Sequence, residues 1–149
     1  MNVTGKGLAI TGCGSAAPKT VLSNELLSLM VDTSDEWINT RTGMKNRHVA
    51  WTSESLSQLS AEAAQNAIAM AGITPADVDL IILATSTPDD LFGSAAQVQH
   101  LIGATQAVAF DLTAACSGFI FGLITAAQFI RTGVYRNVVL IGADVLSRW

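Results

Sequence analysis

The side chain best suited to covalent chemistry is Cys116, which lies in the segment 110–118 (FDLTAACSG). A strand-like apolar run ends just before it and an uncharged helical pattern follows, so the cysteine is predicted at or near a helix start. Amides and the helix dipole there stabilise an anion, and therefore a thiolate nucleophile. Its alanine, serine and glycine neighbours leave room for a thioester to approach the sulfur. Many free cysteines are only small buried hydrophobic residues, and this second interpretation stays open.

A second candidate site lies in a helical insertion near the N-terminus. Residues 33–36 (TSDE) match a capping box, which predicts a helix beginning at Thr33. Trp37 and Arg41 then lie four positions apart on one face, where their planes could hold a flat aromatic ligand such as a nucleotide base. The alternative is that Trp37 packs on the core while Arg41 is a solvated surface charge. Spacing alone does not decide between the two.

Other reactive or motif-like residues receive structural interpretations. Residues 12–17 (GCGSAA) approximate a dinucleotide-binding fingerprint, but Pro18 follows and no helix opens there, so the glycines are predicted to form a turn. Cys13 is assigned to the interior of a first strand. His48 is predicted in a loop and His100 on a helix face, and neither has a partner at metal-ligand or triad spacing. No metal site is predicted.

The elements that must position these residues alternate between strand-like and helical patterns. Strands are predicted at residues 7–12, 79–84, 107–112 and 137–143, and helices at 57–71 and 94–102. The first helix stops at Gly72, and the second begins at a capping Ser94 and stops at Gly103. This order predicts an α/β protein with a mainly parallel mixed sheet and helices on both faces, in α/β/α layers.

Composition limits the kind of protein. Of 149 residues, 50% are hydrophobic and 13% charged, which predicts one domain with a large core. The net charge of −4, with eight scattered Lys and Arg, argues against nucleic-acid binding. The N-terminus lacks a secretory pattern and the cysteines lack metal or redox spacing, which favours the cytoplasm. Residues 112–130 are uncharged and almost long enough to span a membrane, but a helix buried in the protein is the interpretation adopted.

Two separated motifs carry a family resemblance. The first is 31–44 (VDTSDEWINTRTGM) with Arg47 and His48, and the second is 114–119 (AACSGF). Their order and spacing resemble the β-ketoacyl-acyl-carrier-protein synthase III family of the thiolase-like fold. Further similar segments occur at 63–72, 81–87, 109–111 and 142–146.

This resemblance implies an acyltransferase of fatty-acid initiation. Cys116 would be acylated by a short acyl-CoA and would pass the acyl group to a carbanion made by decarboxylating malonyl-acyl-carrier protein. Acyl-CoA would be a substrate, and no cofactor is implied. Thr33, Trp37 and Arg41 would help to bind coenzyme A, with the Trp and Arg flanking the adenine.

The resemblance also assigns residues to the acyl pocket and implies a homodimer. Phe92 would bound the acyl pocket of the neighbouring subunit, and Leu146 would line the pocket of its own. Gly93 departs from the family pattern, in which proline is common after the Phe.

The family's enzymes are about twice this length and consist of two similar halves. The chain, residues 1–149 with a helical insertion at about 23–50, corresponds to the N-terminal half. The absent C-terminal half would supply a His, an Asn and one oxyanion-hole amide, leaving here the amide of Cys116. Two alternatives stay open: a related polyketide- or quinolone-pathway synthase, and a non-catalytic half-domain that binds coenzyme A.

Overall fold

The structure is a computed structural model that describes residues 7–148. It divides into two compact units. The larger unit takes in residues 7–16 and 55–146, and the smaller unit residues 17–54 with 147–148. The strands are β1 (Thr20–Ser23), β2 (Asn46–Val49), β3 (Leu80–Ala84), β4 (Val108–Leu112) and β5 (Val138–Gly142). The helices are α1 (Asn24–Ser28), α2 (Asp35–Thr42), α3 (Leu56–Ala71), α4 (Ala95–Ile102) and α5 (Gly118–Thr132), with short 3-10 turns at Pro75–Asp77, Ala115–Ser117 and Leu146–Arg148.

A three-stranded sheet in the order β4-β3-β5 forms the centre of the larger unit. Both pairings are parallel, with Ile82 opposite Phe110 on one side and Leu140 on the other. Every residue of β3 is buried, as expected for a central strand covered on both faces. These strands confirm three of the four predicted ones. The sheet is entirely parallel rather than mixed, because the antiparallel pair β1-β2 belongs to the smaller unit.

Helices cover the two faces of this sheet. The connection from β3 through α4 leads to β4 on one side, and the connection from β4 through α5 leads to β5 on the other. Because such crossovers are right-handed, the two helices lie on opposite faces. α4 packs on β3 and β4 beside α3, whereas α5 packs on β3 and β5. The predicted α/β/α layering is therefore confirmed.

Helix α5 packs through a stripe of small residues. Gly118, Gly122 and Ala126 are buried at intervals of four positions, and Ala126 joins Leu80 and Ile82 in a core cluster. The outer face is exposed and apolar at Ile120, Phe121 and Ile124, whereas the half-exposed Phe119 lies against Gly142 of β5. The prediction of a buried helix is thus correct for only one face. Residues 115–132 are long and apolar enough to cross a membrane by length and composition alone, but the stripe packs on the sheet.

The predicted strand at residues 7–12 is wrong, as is the predicted turn at 12–17. This segment has no regular secondary structure and instead runs against α3. Gly12 and Gly14 approach the α3 backbone so closely that an added Cβ would overlap the carbonyl oxygens of Ala67 and Ala63. Cys13 is exposed rather than buried in a strand, and its sulfur lies 3.6 Å from the Met70 sulfur.

Because Gly14 has no room for a side chain, we expect Gly14→Ala to lower the free energy of unfolding by about 1–3 kcal/mol. Urea denaturation measures the effect. Gly7→Ala is the matched control, since a Cβ at Gly7 meets nothing within 4 Å. We expect it to change stability by less than about 0.5 kcal/mol. Equal effects of the two substitutions would show that the close approach to α3 is not a packing constraint.

The smaller unit contains strands as well as the predicted helices. β1 and β2 pair in antiparallel register, and His48 lies in β2 rather than in a loop. The fully buried Asn24 links α2 to this ladder: its amide donates to Asp35 Oδ1 at 2.7 Å and to the Met44 carbonyl at 2.8 Å. Such a connection between distant residues leaves no periodic signal in the sequence.

The N-cap of helix α2 lies one residue later than the predicted Thr33. The N-cap is Ser34, whose hydroxyl accepts a hydrogen bond from the Trp37 amide at 3.1 Å. Ser34 takes the extended backbone conformation that an N-cap requires, so Thr33 lies outside the helix. The helix ends at Gly43 and carries Trp37 and Arg41 on one face.

Candidate functional site

Three of the predicted site residues follow the carboxyl ends of the central strands. Phe92 lies in the connection after β3, Cys116 after β4 and Leu146 after β5. Because the three strands are parallel and adjacent, these connections leave the same edge of the sheet. This edge is where open α/β sheets bind ligands.

Hydrogen bonds join the strand ends at this edge. Asp144, after β5, accepts a hydrogen bond from the Ser86 amide at 2.7 Å and from the hydroxyls of Thr85 and Thr87 at 3.2 Å each. The Thr113 hydroxyl, after β4, donates to the Thr85 carbonyl at 3.0 Å. The connections that carry the candidate residues are thereby tied to one another.

Cys116 lies in the 3-10 turn Ala115–Ser117, directly before the first residue of α5. Its predicted position near a helix start is confirmed, and its side chain is exposed rather than buried. The residue before it, Ala115, has φ +46°, a left-handed conformation that costs a non-glycine residue about 1–2 kcal/mol. Backbone strain of this kind concentrates at functional sites.

The start of α5 suits an anionic group beside Cys116. Ser117, at the N-cap, makes no side-chain capping hydrogen bond, and the first turn contains no acidic residue. The amides of Ser117 and Gly118 already donate to the carbonyls of Ala114 and Ala115, so it is the dipole of α5 that favours an anion at this point. An accessible thiol at this point can attack a carbonyl, and the positive end of the helix dipole favours the negative charge that develops.

The two predicted acyl-pocket residues are both exposed. Phe92 is 96% exposed and its neighbour Leu91 97%, at the tip of the connection between β3 and α4. Leu146 is 70% exposed and begins the 3-10 turn after β5. Large apolar side chains this exposed lack the cover that apolar groups normally find, so they are candidates for contact with a ligand or another polypeptide.

The predicted capping role of Ser94 is wrong. Its hydroxyl makes no capping hydrogen bond and instead accepts from the Asp89 amide at 2.8 Å. The start of α4 is capped from β4, because the Asp111 carboxylate accepts from the amides of Ser94 and Ala95 at 2.8 Å and 2.6 Å. The carboxylate of Asp111 in β4 therefore caps α4, a role that the local sequence assigned to Ser94.

Trp37 and Arg41 are brought together in the smaller unit, where Arg41 Cζ lies 4.8 Å from the Trp37 ring centroid. This is a cation–π contact between exposed groups. An aromatic base between the two planes needs about 7 Å, two contacts of ~3.5 Å, so Arg41 would have to swing away from the ring to admit one. Thr33 lies half-buried just before the N-cap of the same helix.

The two histidines lie in different units, His48 in the smaller one and His100 in the larger one. The His48 ring contacts the Pro18 carbonyl beside β2, and His100 is exposed on α4. Over residues 7–148, no group of three or more His, Cys, Asp or Glu side chains is arranged to hold a metal ion.

Sequence reasoning missed the acidic residues that organise the edge. Asp111 interrupts the apolar run of β4, and Asp144 follows β5. A lone carboxylate within a buried parallel strand is costly unless it is hydrogen-bonded, and that rule is a signal by which Asp111 could have been found.

Comparisons with known proteins agree with this arrangement. A family model described as 3-oxoacyl-[acyl-carrier-protein] synthase III matches residues 110–149. Curated proteins named β-ketoacyl-[acyl-carrier-protein] synthase III match almost the whole chain; that of Trichormus variabilis is 71% identical over 143 residues, covering 96% of this chain and 43% of the relative. That of Microcystis aeruginosa is 68% identical and covers 100% of this chain and 45% of the relative.

Solved structures extend the similarity to three dimensions. The 3-oxoacyl-[acyl-carrier-protein] synthase III of Aquifex aeolicus has a TM-score of 0.91 at 47% identity, over 95% of this chain and 46% of that one. The priming β-ketosynthase of the R1128 polyketide pathway has a TM-score of 0.88 at 31% identity, over 95% of this chain and 45% of that one.

The similarity to these solved structures, which includes the parallel sheet and the helix after its edge strand β4, places the chain in the thiolase-like fold class. Within that class, the chain belongs to the β-ketoacyl-acyl-carrier-protein synthase III family. It spans about half the length of the curated relatives it matches.

Proposed function

We propose that this chain is the nucleophile-bearing N-terminal half of a cytoplasmic enzyme that initiates fatty-acid synthesis. The enzyme condenses a short acyl-CoA with malonyl-acyl-carrier protein. The observation that carries this proposal is the position of Cys116, exposed after a strained Ala115 at an uncapped helix start, in a chain 71% identical to a curated synthase III.

The proposed reaction has two stages. The Cys116 thiolate attacks the acyl-CoA carbonyl, an acyl–sulfur bond forms, and the bond to the coenzyme A sulfur breaks. Malonyl-acyl-carrier protein then loses CO₂, and the resulting carbanion attacks the acyl-cysteine carbonyl. The product is β-ketoacyl-carrier protein, and the Cys116 thiolate is released. Acyl-CoA enters as a substrate, and the chemistry needs no resident cofactor.

A second half of the enzyme completes this site in our proposal. Decarboxylation develops negative charge on the malonyl thioester, which needs hydrogen-bond donors, and the family resemblance places a His and an Asn for this role outside the present chain. Two observations support a missing cover. The outer face of α5 is apolar and exposed, and β4 and β5 pair only with β3 among the described strands.

The coenzyme A moiety is assigned to Thr33, Trp37 and Arg41, with the adenine between the Trp and Arg planes. The exposed cation–π pair supports this, because both groups stack on aromatic rings and neither is committed to a core. The acyl chain is assigned to Leu146 and to Phe92 of a second subunit in a homodimer, supported by the exposure of both side chains.

We expect Trp37→Ala to raise the KM for acyl-CoA about tenfold with a smaller change in kcat, since stacking on a base contributes ~1–3 kcal/mol. Steady-state kinetics with varied acyl-CoA measures this. Trp51→Ala is the matched control, because Trp51 is similarly exposed (61% against 55%) in the same unit. An unchanged KM in Trp37→Ala would return Trp37 and Arg41 to a surface role.

A polyketide-pathway synthase is the second candidate function, favoured by the close structural similarity to the R1128 priming enzyme. Both enzymes would acylate the same cysteine, so the acceptor separates them. Product formation with malonyl-acyl-carrier protein of fatty-acid synthesis supports the proposal. Product formation only with a dedicated polyketide carrier protein favours the alternative. A protein that binds coenzyme A without acylating Cys116 would be a non-catalytic binding module.

A further inference from the structure

The connection between β3 and α4 is unusually well fixed for a segment that presents exposed apolar side chains. The Asp89 carboxylate accepts from the amides of Leu56 and Ser57 at the start of α3, at 3.0 Å and 2.8 Å. Its own amide donates to the hydroxyl of the fully buried Ser94. Between these two residues lies Phe92, whose amide donates to Asp90 Oδ1 at 2.8 Å.

The other end of this loop is held by Asp111. Its carboxylate accepts from the amides of Ser94 and Ala95, so the loop and the start of α4 share one anchor. Asp111 lies in β4, five positions before Cys116 along the same segment. Strand β4, which precedes Cys116 in the chain, therefore also fixes the loop that carries Phe92.

Gly93 is the residue that lets the loop reach this anchor. Its φ is +91°, which proline cannot adopt because its ring fixes φ near about −65°. A Cβ at Gly93 would also lie only 3.1 Å from the Asp111 carboxyl carbon. Backbone conformation and space both require glycine here, which explains why the sequence departs from the proline of the family pattern.

We infer that Asp111 and Gly93 are positioning residues that set the selectivity for acyl-chain length, by fixing the loop that presents Phe92 to the acyl pocket of the second subunit. This inference rests on the proposed function, in which Phe92 bounds the acyl pocket. Loss of the Asp111 hydrogen bonds lets the loop move, so Phe92 no longer bounds the acyl pocket at one fixed position. Cys116 and the start of α5 stay in place.

The test compares kcat/KM for an eight-carbon and a two-carbon acyl-CoA in the full-length enzyme that contains this chain. We expect Asp111→Asn and Gly93→Ala each to change the ratio about fivefold or more, in the same direction as Phe92→Ala. In the Phe92→Ala background, Asp111→Asn should change the ratio no further, since the side chain it positions is gone.

Two matched controls separate positioning from general destabilisation. Asp79 accepts from the amides of Arg136 and Asn137 at the opposite end of β3, so Asp79→Asn removes a similar carboxylate anchor. Gly103 has φ +76° with nothing within 4 Å of its Cβ position, so Gly103→Ala imposes backbone strain alone. Both controls should leave the selectivity ratio within about twofold of wild type.

An unchanged ratio in both Asp111→Asn and Gly93→Ala overturns the inference, as does an unchanged ratio in Phe92→Ala. If Asp111→Asn does not fold, Gly93→Ala carries the same test. Acylation of Cys116 in the wild-type enzyme is followed alongside by mass spectrometry. An unchanged ratio with Cys116 acylated refutes only the positioning role, whereas absence of acylation refutes the proposed function itself.

Discussion

Cys116→Ala is expected to lower the rate of β-ketoacyl product formation by a factor on the order of 10⁴ or more, because no covalent acyl intermediate can form without the sulfur. The substitution should leave the fold intact. Cys116 is exposed, and alanine is close to cysteine in size and tolerates a helix start. Product formation from acyl-CoA and malonyl-acyl-carrier protein measures the effect in the full-length enzyme.

Cys13→Ala is the matched control for this experiment. Cys13 is the other exposed free cysteine, and it lies against Met70 on α3 rather than at the carboxyl edge of the sheet. We expect near wild-type activity from this variant. Retained activity in Cys116→Ala, or comparable losses in both variants, would remove the covalent role from Cys116.

Residues 1–149 alone are expected not to complete the condensation, although they carry the nucleophile. The proposed decarboxylation needs donors to the malonyl thioester, and loss of one such donor typically costs ~10²–10³ in rate. Neither histidine suits this role: His48 contacts the Pro18 carbonyl in the smaller unit, and His100 lies on the exposed face of α4.

The exposed surfaces of the isolated chain should also affect its solubility. Ile120, Phe121 and Ile124 form an exposed apolar face on α5, and the sheet has unpaired edges at β4 and β5 among the described residues. Such surfaces favour aggregation or association with another polypeptide. We therefore expect the chain to be soluble and uniform only when a second polypeptide covers this face.

Turnover of malonyl-acyl-carrier protein by the purified 149-residue chain, with and without a separately expressed C-terminal half, measures this dependence. Activity should appear only with both polypeptides, and the same mixture made with Cys116→Ala is the control. Full activity from a sample whose intact mass shows the 149-residue chain alone would place all catalytic groups within it and contradict the proposed division.

The sequence predicted the parts of the fold that depend on local pattern. β3 is an apolar run buried on both faces, β4 and β5 are partly buried strands beside it, and each predicted strand lies within two residues of the observed one. The segment 7–12 has a similar apolar pattern but forms no strand. A strand needs a backbone partner as well as a pattern, and close approach to α3 at Gly12 and Gly14 fixes this segment instead.

The candidate site likewise has a part that local sequence predicts and a part that depends on contacts between distant residues. The position of Cys116 was predictable because the end of β4, the small residues and the start of α5 are consecutive in the sequence. The fixing of the Phe92 loop was not, because its anchor comes from Asp111, 17 positions from Ser94. Local rules assigned the capping of α4 to Ser94, whereas packing of β4 beside the loop supplied a stronger, charged acceptor.

Peptide mass spectrometry after incubation of the full-length enzyme with acetyl-CoA tests the proposed chemistry most directly. Cys116 combines exposure, a strained preceding residue and an uncapped helix start, so the acetyl group should be found on the peptide that contains it. The expected result is a thioester on Cys116, absent from Cys116→Ala and removed by hydroxylamine. Label on Cys13 with none on Cys116, or no label on either cysteine, would contradict the assignment of the nucleophile.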